Sequence, residues 1–286
     1  MVGAVIVVYS PDLGRLSECY RQLHRNLDHV ILVVNGNFVE GLDFASDDDV
    51  LYLGDNLGIA SASNIGAKLL KERYNIKWVV FSDQDTLYPQ VYFEKLRFVV
   101  HNSSESIFAP AYKDEISNGN ASKYVLRRGN QVVVSDTFQD NLYQVIASGM
   151  VWRYSSFESL EMFREDLFID WVDLELCWRA VRSGLAINDL EVVLSHRLGD
   201  NEISIFNKSI PLRSAMRYYY LLRNGVYLAL YFNHGSFRIN LWYSRKIFLE
   251  FAGYFLLSLN QFDKLYYLCL GVLHGLMGKL GKYDFN

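Results

Sequence analysis

The stretch that most constrains this chain is Trp78-Val79-Val80-Phe81-Ser82-Asp83-Gln84-Asp85-Thr86. Four apolar residues in a row read as a strand buried on both faces, and carboxylates cannot follow them into a core unpaired. The strand therefore ends near Ser82, with two acids at its carboxyl end. That edge is where ligands bind in open α/β sheets. Two carboxylates there suit a hard divalent cation that also holds substrate phosphates. The same residues also read as an acidic turn in which Asp85 caps the next helix, and the remaining segments must decide between the two.

Those segments build the same kind of sheet. Ala4 to Val8 is a second continuous apolar run, a central strand. Ser10-Pro11-Asp12 reads as a helix N-cap, a first-turn proline and a first-turn acid. Leu13, Leu16, Tyr20, Leu23 and Leu27 then mark one helical face. Val30–Val34 and Val50–Leu53 read as strands. Ile59–Tyr74 reads as a helix with Ile65, Leu69 and Leu70 inward, and Pro89–Val100 as another. Residues 107–135 carry turn signals at Pro110, Asn118-Gly119 and Arg128-Gly129, one of them a hairpin. Val145–Trp152 is a strand interrupted at Ser148-Gly149, Asp170–Arg182 a helix, and Ala186–Leu194 a strand. Strands and helices in this alternation give a mostly parallel α/β sheet with flanking helices.

From Leu212 to about Lys282 the pattern is helical, and the chemistry changes with it. Residues 205–286 hold ten Lys/Arg against three Asp/Glu and 19 of the 43 aromatic residues, whereas the rest carries 18 Lys/Arg against 29 Asp/Glu. This division sets the expected domains, 1–204 as the catalytic α/β unit and 205–286 as a basic, aromatic helical region. Such a region suits a membrane surface, with Trp242, Tyr243, Phe248, Phe251 and Phe255 dipping into the interface, or equally a helical core or homodimer interface. Nothing in the sequence suggests nucleic acid. Three widely spaced cysteines fit a reducing compartment, and no apolar run is long enough for a membrane span. A cytoplasmic protein is expected, either free or at the cytoplasmic face of the inner membrane.

Four further places carry chemistry. Tyr9 ends the first strand, where an aromatic ring can stack on a base. Asp55-Asn56-Leu57-Gly58-Ile59-Ala60-Ser61-Ala62-Ser63-Asn64-Ile65-Gly66 puts small residues at a helix start, a place that favours phosphate, or that simply packs closely through Gly66. Asp170 and Asp173, three apart, share a face if both are helical, and either a general base or a helix cap fits them. His196 follows a strand, as a metal or phosphate ligand does, and as many surface histidines do.

In this order, the pieces resemble family 2 inverting glycosyltransferases of GT-A fold, the bacterial rhamnosyltransferase branch in particular. The matching residues are Val7-Val8-Tyr9-Ser10, Val33-Val34-Asn35-Gly36-Asn37, Asn56-Leu57-Gly58 to Asn64-Ile65-Gly66, Asp83-Gln84-Asp85, Ser148-Gly149, Asp170 to Arg179, His196 to Gly199, Arg217-Tyr218-Tyr219-Tyr220 and Arg223-Asn224. The resemblance implies a nucleotide-sugar donor, dTDP-rhamnose first, with galactofuranose or another deoxysugar as the alternative. It implies Mg²⁺ or Mn²⁺ at Asp85 with His196, and Asp173 as base with weight on Asp170. It places Tyr9, Asn35, Asn56, Gly58, Asn64, Asp83, Gln84, Ser148 and Gly149 around the donor. The implied acceptor is a hydroxyl of a glycan, lipid-linked in surface polysaccharide synthesis such as O-antigen. Two positions depart from the pattern: Val34 stands where the family has aspartate, and Val172 where it has glutamate. A non-catalytic nucleotide-sugar binder and a nucleotidyltransferase are the competing classes. The first needs no base, and the second needs a basic glycine-rich loop that Tyr9-Ser10-Pro11 does not provide.

Overall fold

A computed structural model describes residues 1–114, 124–135, 142–196, 202–205, 208–211, 214–234, 236–258 and 261–285. The chain runs β1 (Val2–Val8), α1 (Leu13–Asn26), β2 (His29–Val34), β3 (Val50–Tyr52), α2 (Ile59–Tyr74), β4 (Trp78–Asp83), α3 (Gln90–Asn102) and β5 (Ile107–Asp114). It continues through β6 (Tyr124–Arg128), β7 (Gln131–Ser135), β8 (Leu142–Gln144), β9 (Val151–Arg153), α4 (Tyr154–Ser159), α5 (Val172–Arg182), β10 (Asn188–His196), β11 (Glu202–Ile205) and β12 (Lys208–Pro211). Helices α6 (Ala215–Tyr231), α7 (Phe237–Ser258) and α8 (Phe262–Leu276) close it. The main sheet has the order β10-β5-β9-β4-β1-β2-β3. Only β9 runs antiparallel to its neighbours β4 and β5.

Apolar runs make the central strands because both faces of this sheet are covered. Along β1, Ala4, Ile6 and Val8 pack with α1 and α3, while Val5 packs with α2 on the other face. That second face also receives Trp152, Trp178, Leu222, Ile239, Tyr243 and Leu268, so α6, α7 and α8 extend a core that the sheet begins. Register then fixes the site. Val7 pairs with both Val33 and Asp83, so the carboxyl ends of β1, β2 and β4 lie side by side.

Several local expectations are corrected. Ser10 adopts φ 45°, and Asp12 is the cap of α1, accepting from the amides of Gly14 and Arg15. Small residues, not Ile65 and Leu69, form the buried face of α2, which runs through Ala60, Ala62, Ser63, Gly66 and Ala67 to Leu70. A Cβ on Gly66 would come within 2.6 Å of Val5, so this helix lies closer to the sheet than larger residues allow. Residues 145–150 are a loop, not strand. Asp170 and Trp171 have φ of 62° and 69°, so α5 starts only at Val172 and Asp170 lies outside it. The hairpin at Arg128-Gly129 joins β6 to β7, whereas Asn118-Gly119 falls outside the described residues.

Candidate active site

The acid loop is held from three sides. Gln84 uses both ends of its amide on the Tyr9 backbone, accepting from its N–H at 2.9 Å and donating to its carbonyl at 3.0 Å. The Arg15 guanidinium donates to the Asp85 carbonyl at 3.1 and 3.2 Å. The Ser148 hydroxyl accepts from the Asp83 amide at 2.9 Å and bonds Thr86 Oγ1 at 2.7 Å. Gly149 donates to the Phe81 carbonyl and accepts from the Tyr92 hydroxyl. Gln84, Ser148 and Gly149 therefore shape the loop through these contacts. Asp85 caps no helix, since α3 begins at Gln90. This removes the capping explanation of the acid pair.

Beside this loop, the Tyr9 ring is half exposed and lies 3.7 Å from the position a Gly36 Cβ would take, an open platform at the sheet edge. Asn35 is buried and donates to Asn56 Oδ1 at 3.1 Å while accepting from the Leu57 amide at 2.8 Å. Val34, where the family pattern has an acid, is buried in the strand, so Asn35 is the first polar side chain at this strand end. Gly58 has φ 86°, and a Cβ there would meet the Phe168 carbonyl at 2.6 Å. The 55–58 loop thus rests directly on the segment before α5, and the Ile59 amide donates to the same Phe168 carbonyl. Asn64 lies elsewhere. It is buried on α2, exchanges bonds with the Phe163 backbone and donates to Glu165, so it supports the 163–165 segment from below.

Asp173 in the first turn of α5 accepts from the amides of Leu174 at 2.9 Å and Ala147 at 3.2 Å. Burial, with a further contribution from the negative charge of Asp83, pushes its carboxyl up to about 6. A carboxyl so placed is a competent proton acceptor near neutral pH. Asp170 does not join it as a second acceptor on one helical face. Its carboxylate is taken by the Arg217 guanidinium at 2.5 Å, from the first turn of α6. Asp83 also acts electrostatically on Arg217, which brings Asp83, Asp170, Asp173 and Arg217 into one charged neighbourhood.

Three residues of the segment before α5, Phe168, Asp170 and Trp171, hold positive φ. Such backbone persists only where surroundings over-determine it. The clamp is Arg223-Asn224 on α6. The Asn224 amide donates to the carbonyls of Leu167, Ile169 and Asp170, and the fully buried Arg223 donates to those of Asp166, Leu167 and Gly281. Arg217, Arg223 and Asn224 belong to the family resemblance with no role implied for them, and Arg15 lies outside the matching residues. The available signal was a charge and an amide inside a helix of tyrosines and leucines, where a polar group needs buried partners.

For a metal, the donor set at the sheet edge is two hard carboxylates, Asp83 and Asp85. Among the described residues no group of three or more His, Cys, Asp or Glu side chains could hold an ion. That chemistry fits Mg²⁺ or Mn²⁺ bound by one or two carboxylates and shared with substrate phosphates, and not an all-protein cage. His196 ends β10 with its backbone paired to Asp114. Its side chain, and the rest of the expected motif from Arg197 to Gly199, lie outside the described residues.

No family model matches the sequence. Along its whole length the chain is similar to the dTDP-rhamnosyl transferase RfbF of Shigella flexneri, with 29% identity over 298 residues and 98% of that protein covered. Its fold is similar to GalNAc-T7 crystallised with UDP, GalNAc and Mn²⁺, at 12% identity and a TM-score of 0.52 over 78% of this chain. It is also similar to S. aureus TarS 1–349 in complex with UDP-GlcNAc, at 13% identity and a TM-score of 0.51 over 80% of this chain. The chain spans 47% of the first of these structures and 66% of the second. The mostly parallel sheet with flanking helices is thus the GT-A fold, and the resemblance to the rhamnosyltransferase branch holds from end to end. No helix among the described residues is long and apolar enough to cross a membrane.

Proposed function

We propose that the chain is an inverting glycosyltransferase that moves a sugar, L-rhamnose from dTDP-rhamnose before other donors, onto a glycan hydroxyl. The observation that carries this reading is Asp173, a carboxyl raised to about 6 and set beside Asp83 at the carboxyl edge of a GT-A sheet. The full-length likeness to a dTDP-rhamnosyl transferase supports the donor. A non-catalytic binder needs no base, so Asp83, Asp85 and Asp173 in one chain argue against that class.

In this mechanism Tyr9 stacks on the base, and Asn35 with Asn56 borders the nucleoside. Asp173 takes the acceptor proton as the acceptor oxygen forms its bond to the anomeric carbon from the face opposite the leaving group. The bond from that carbon to the diphosphate oxygen breaks, and the sugar inverts. Arg217, held by Asp170, adds positive charge near the departing diphosphate. A divalent cation held by Asp85 and Asp83 would supply charge neutralisation to the same leaving group. The test is a donor screen with dTDP-rhamnose, UDP-galactofuranose, UDP-galactose and UDP-GlcNAc, with and without Mn²⁺. Metal-dependent release of nucleoside diphosphate from dTDP-rhamnose first is expected. Consumption of added pyrophosphate, with dTTP and rhamnose 1-phosphate as products, would instead make the protein a nucleotidyltransferase.

Membrane contact belongs to α7 in this account. Of the five aromatic residues expected at an interface, Tyr243 is buried and packs on Trp178 and His234. Trp242, Phe251 and Phe255 are partly buried against the core, and Phe248 alone of the five joins the outward face with Phe237, Leu241 and Leu256, each more than half exposed, with Arg238 and Arg245 also exposed along the helix. Apolar side chains flanked by arginines suit an anionic lipid surface. Absence of flotation with phosphatidylglycerol liposomes would remove this part of the reading and leave a subunit interface.

A further inference from the structure

The backbone strain before α5 takes a defined form at Phe168. Its φ of 66° and ψ of −65° are those of the γ-turn with positive φ, and the bond that closes such a turn runs from the Ile169 amide to the Leu167 carbonyl at 2.8 Å. This turn is rare because it is strained, so it needs neighbours that hold it. On one side, the Phe168 carbonyl accepts from the Ile59 amide at 2.9 Å, which joins the turn to the loop carrying Asn56. On the other, the Phe168 ring stacks on the buried Tyr220 ring, with centroids 4.7 Å apart and planes 18° from parallel.

Residues 278–285, the C-terminal segment after α8, close around this turn. The Gly281 amide donates to the Asp166 carbonyl at 2.7 Å, and the Gly281 carbonyl accepts from Arg223, which also donates to Asp166 and Leu167. The Tyr283 amide donates to the Tyr220 hydroxyl at 2.8 Å, and the Phe285 ring packs on that of Tyr220. Between these two anchors, Lys282 reaches Asp55 at 2.6 Å. The other oxygen of that carboxylate accepts from the Asn56 amide at 2.7 Å. One short segment thus grips the chain before the γ-turn, the ring stacked on it, and the loop bonded to its carbonyl.

We propose that this segment is a strap that positions the two halves of the candidate site against each other, with Lys282, Tyr220 and Phe168 as positioning residues. It holds the Phe168 turn, and through the turn it sets the 55–58 loop on one side and the start of α5, which carries Asp173, on the other. The proposal rests on reading Asp173 as the base of a sugar transfer. Where the contacts fall separates this role from simple support of the fold. The Lys282–Asp55 pair is exposed, with side chains 41% and 64% accessible, and such a pair adds little to stability. A shift of about 1 Å at a reacting group, by contrast, costs on the order of 10²-fold in rate. Loss of the strap therefore shows in turnover before it shows in unfolding.

The test compares the unaltered full chain with its Lys282→Met, Lys282→Arg and Tyr220→Phe variants. Tyr220→Phe keeps a ring against Phe168 and removes the acceptor of the Tyr283 amide. Amide exchange is followed by mass spectrometry in peptides spanning 57–60 and 166–174, dTDP affinity with Mn²⁺ by calorimetry, and dTDP release from dTDP-rhamnose by a coupled assay. In Lys282→Met and Tyr220→Phe, exchange in both peptides should quicken about fivefold or more and turnover should fall about tenfold or more. Affinity for dTDP should stay within about threefold, and the melting temperature within about 3 °C. Lys282→Arg, which restores the ion pair, should return turnover to within about threefold of the unaltered chain. Unchanged exchange in both peptides overturns the strap whatever the turnover does. Normal turnover in both variants overturns it as well, as does a Lys282→Arg variant no more active than Lys282→Met. An unaltered chain that neither binds dTDP nor releases it from dTDP-rhamnose strikes the sugar-transfer reading instead, and the exchange comparison still decides the strap.

Discussion

Replacing Asp173 by asparagine should move activity and stability in opposite directions. The carboxyl is raised from 3.8 to about 6, chiefly by burial. Folding therefore favours its protonated form. That contribution is fully present below about pH 4 and is lost as pH rises through about 6, so at pH 8 the charge costs about 3 kcal/mol. Asparagine removes the charge. It keeps only one carbonyl oxygen, however, for the amides of Leu174 and Ala147, which both bond the carboxylate. Losing one such bond costs about 1 kcal/mol. The net gain is on the order of 1–2 kcal/mol at pH 8, a rise in melting temperature of roughly 2–6 °C for a chain of this size, with no gain at pH 4. Transfer should fall by about 10²–10⁴-fold because the acceptor proton has no recipient. Calorimetry at both pH values and a turnover assay test this together. Turnover within tenfold of the unaltered protein would exclude Asp173 as base, and an equal melting shift at pH 4 and pH 8 would exclude a buried charge there.

Four other outcomes follow from the same geometry. The rate should fall about tenfold per pH unit below about 6, where Asp173 is protonated, and a flat pH–rate profile from 5 to 8 would exclude it as base. Asp85→Ala should abolish the Mn²⁺ dependence of nucleoside-diphosphate binding, which calorimetry with and without metal reads directly. Arg223→Ala strips hydrogen bonds from the part-buried carbonyl of Asp166 and the buried carbonyl of Leu167, and urea unfolding should show a loss of about 3 kcal/mol. His234 is buried among Tyr143, Trp178 and Tyr243, where burial lowers its pKa to about 4. Its contribution is present above pH 6.5 and is lost as pH falls through 4, so denaturant curves should weaken over that window, and less in His234→Phe.

The sheet was legible because its strands are continuous apolar runs and its acids could stand only at strand ends. Asp83-Gln84-Asp85, Tyr9 and Asn35 sit together in the structure for that reason. What sequence spacing missed was governed by backbone conformation. Asp170 and Asp173 lie three apart, yet positive φ at Asp170 and Trp171 delays the helix and hands Asp170 to Arg217. The family resemblance implies a pocket role for Asn64, which sits among small side chains. Those side chains instead mark the buried face of α2, and Asn64 is spent on the Phe163 backbone. The same resemblance places Gln84 at the donor, whereas its amide is engaged at both ends by the Tyr9 backbone. The C-terminal segment was illegible for a different reason. Its partners, Asp55, Asp166 and Tyr220, are far away in the chain, and no local period reports such a contact.

The proposed mechanism requires the acid loop to hold a metal–diphosphate group beside Asp173. Crystals grown with dTDP and Mn²⁺, measured for anomalous scattering, test it most directly. A manganese peak at the Asp85 carboxylate, beside the diphosphate, with the thymine ring over Tyr9, is expected. A nucleotide bound without metal contact to Asp85, or a manganese peak away from the ends of β1, β2 and β4, would contradict it.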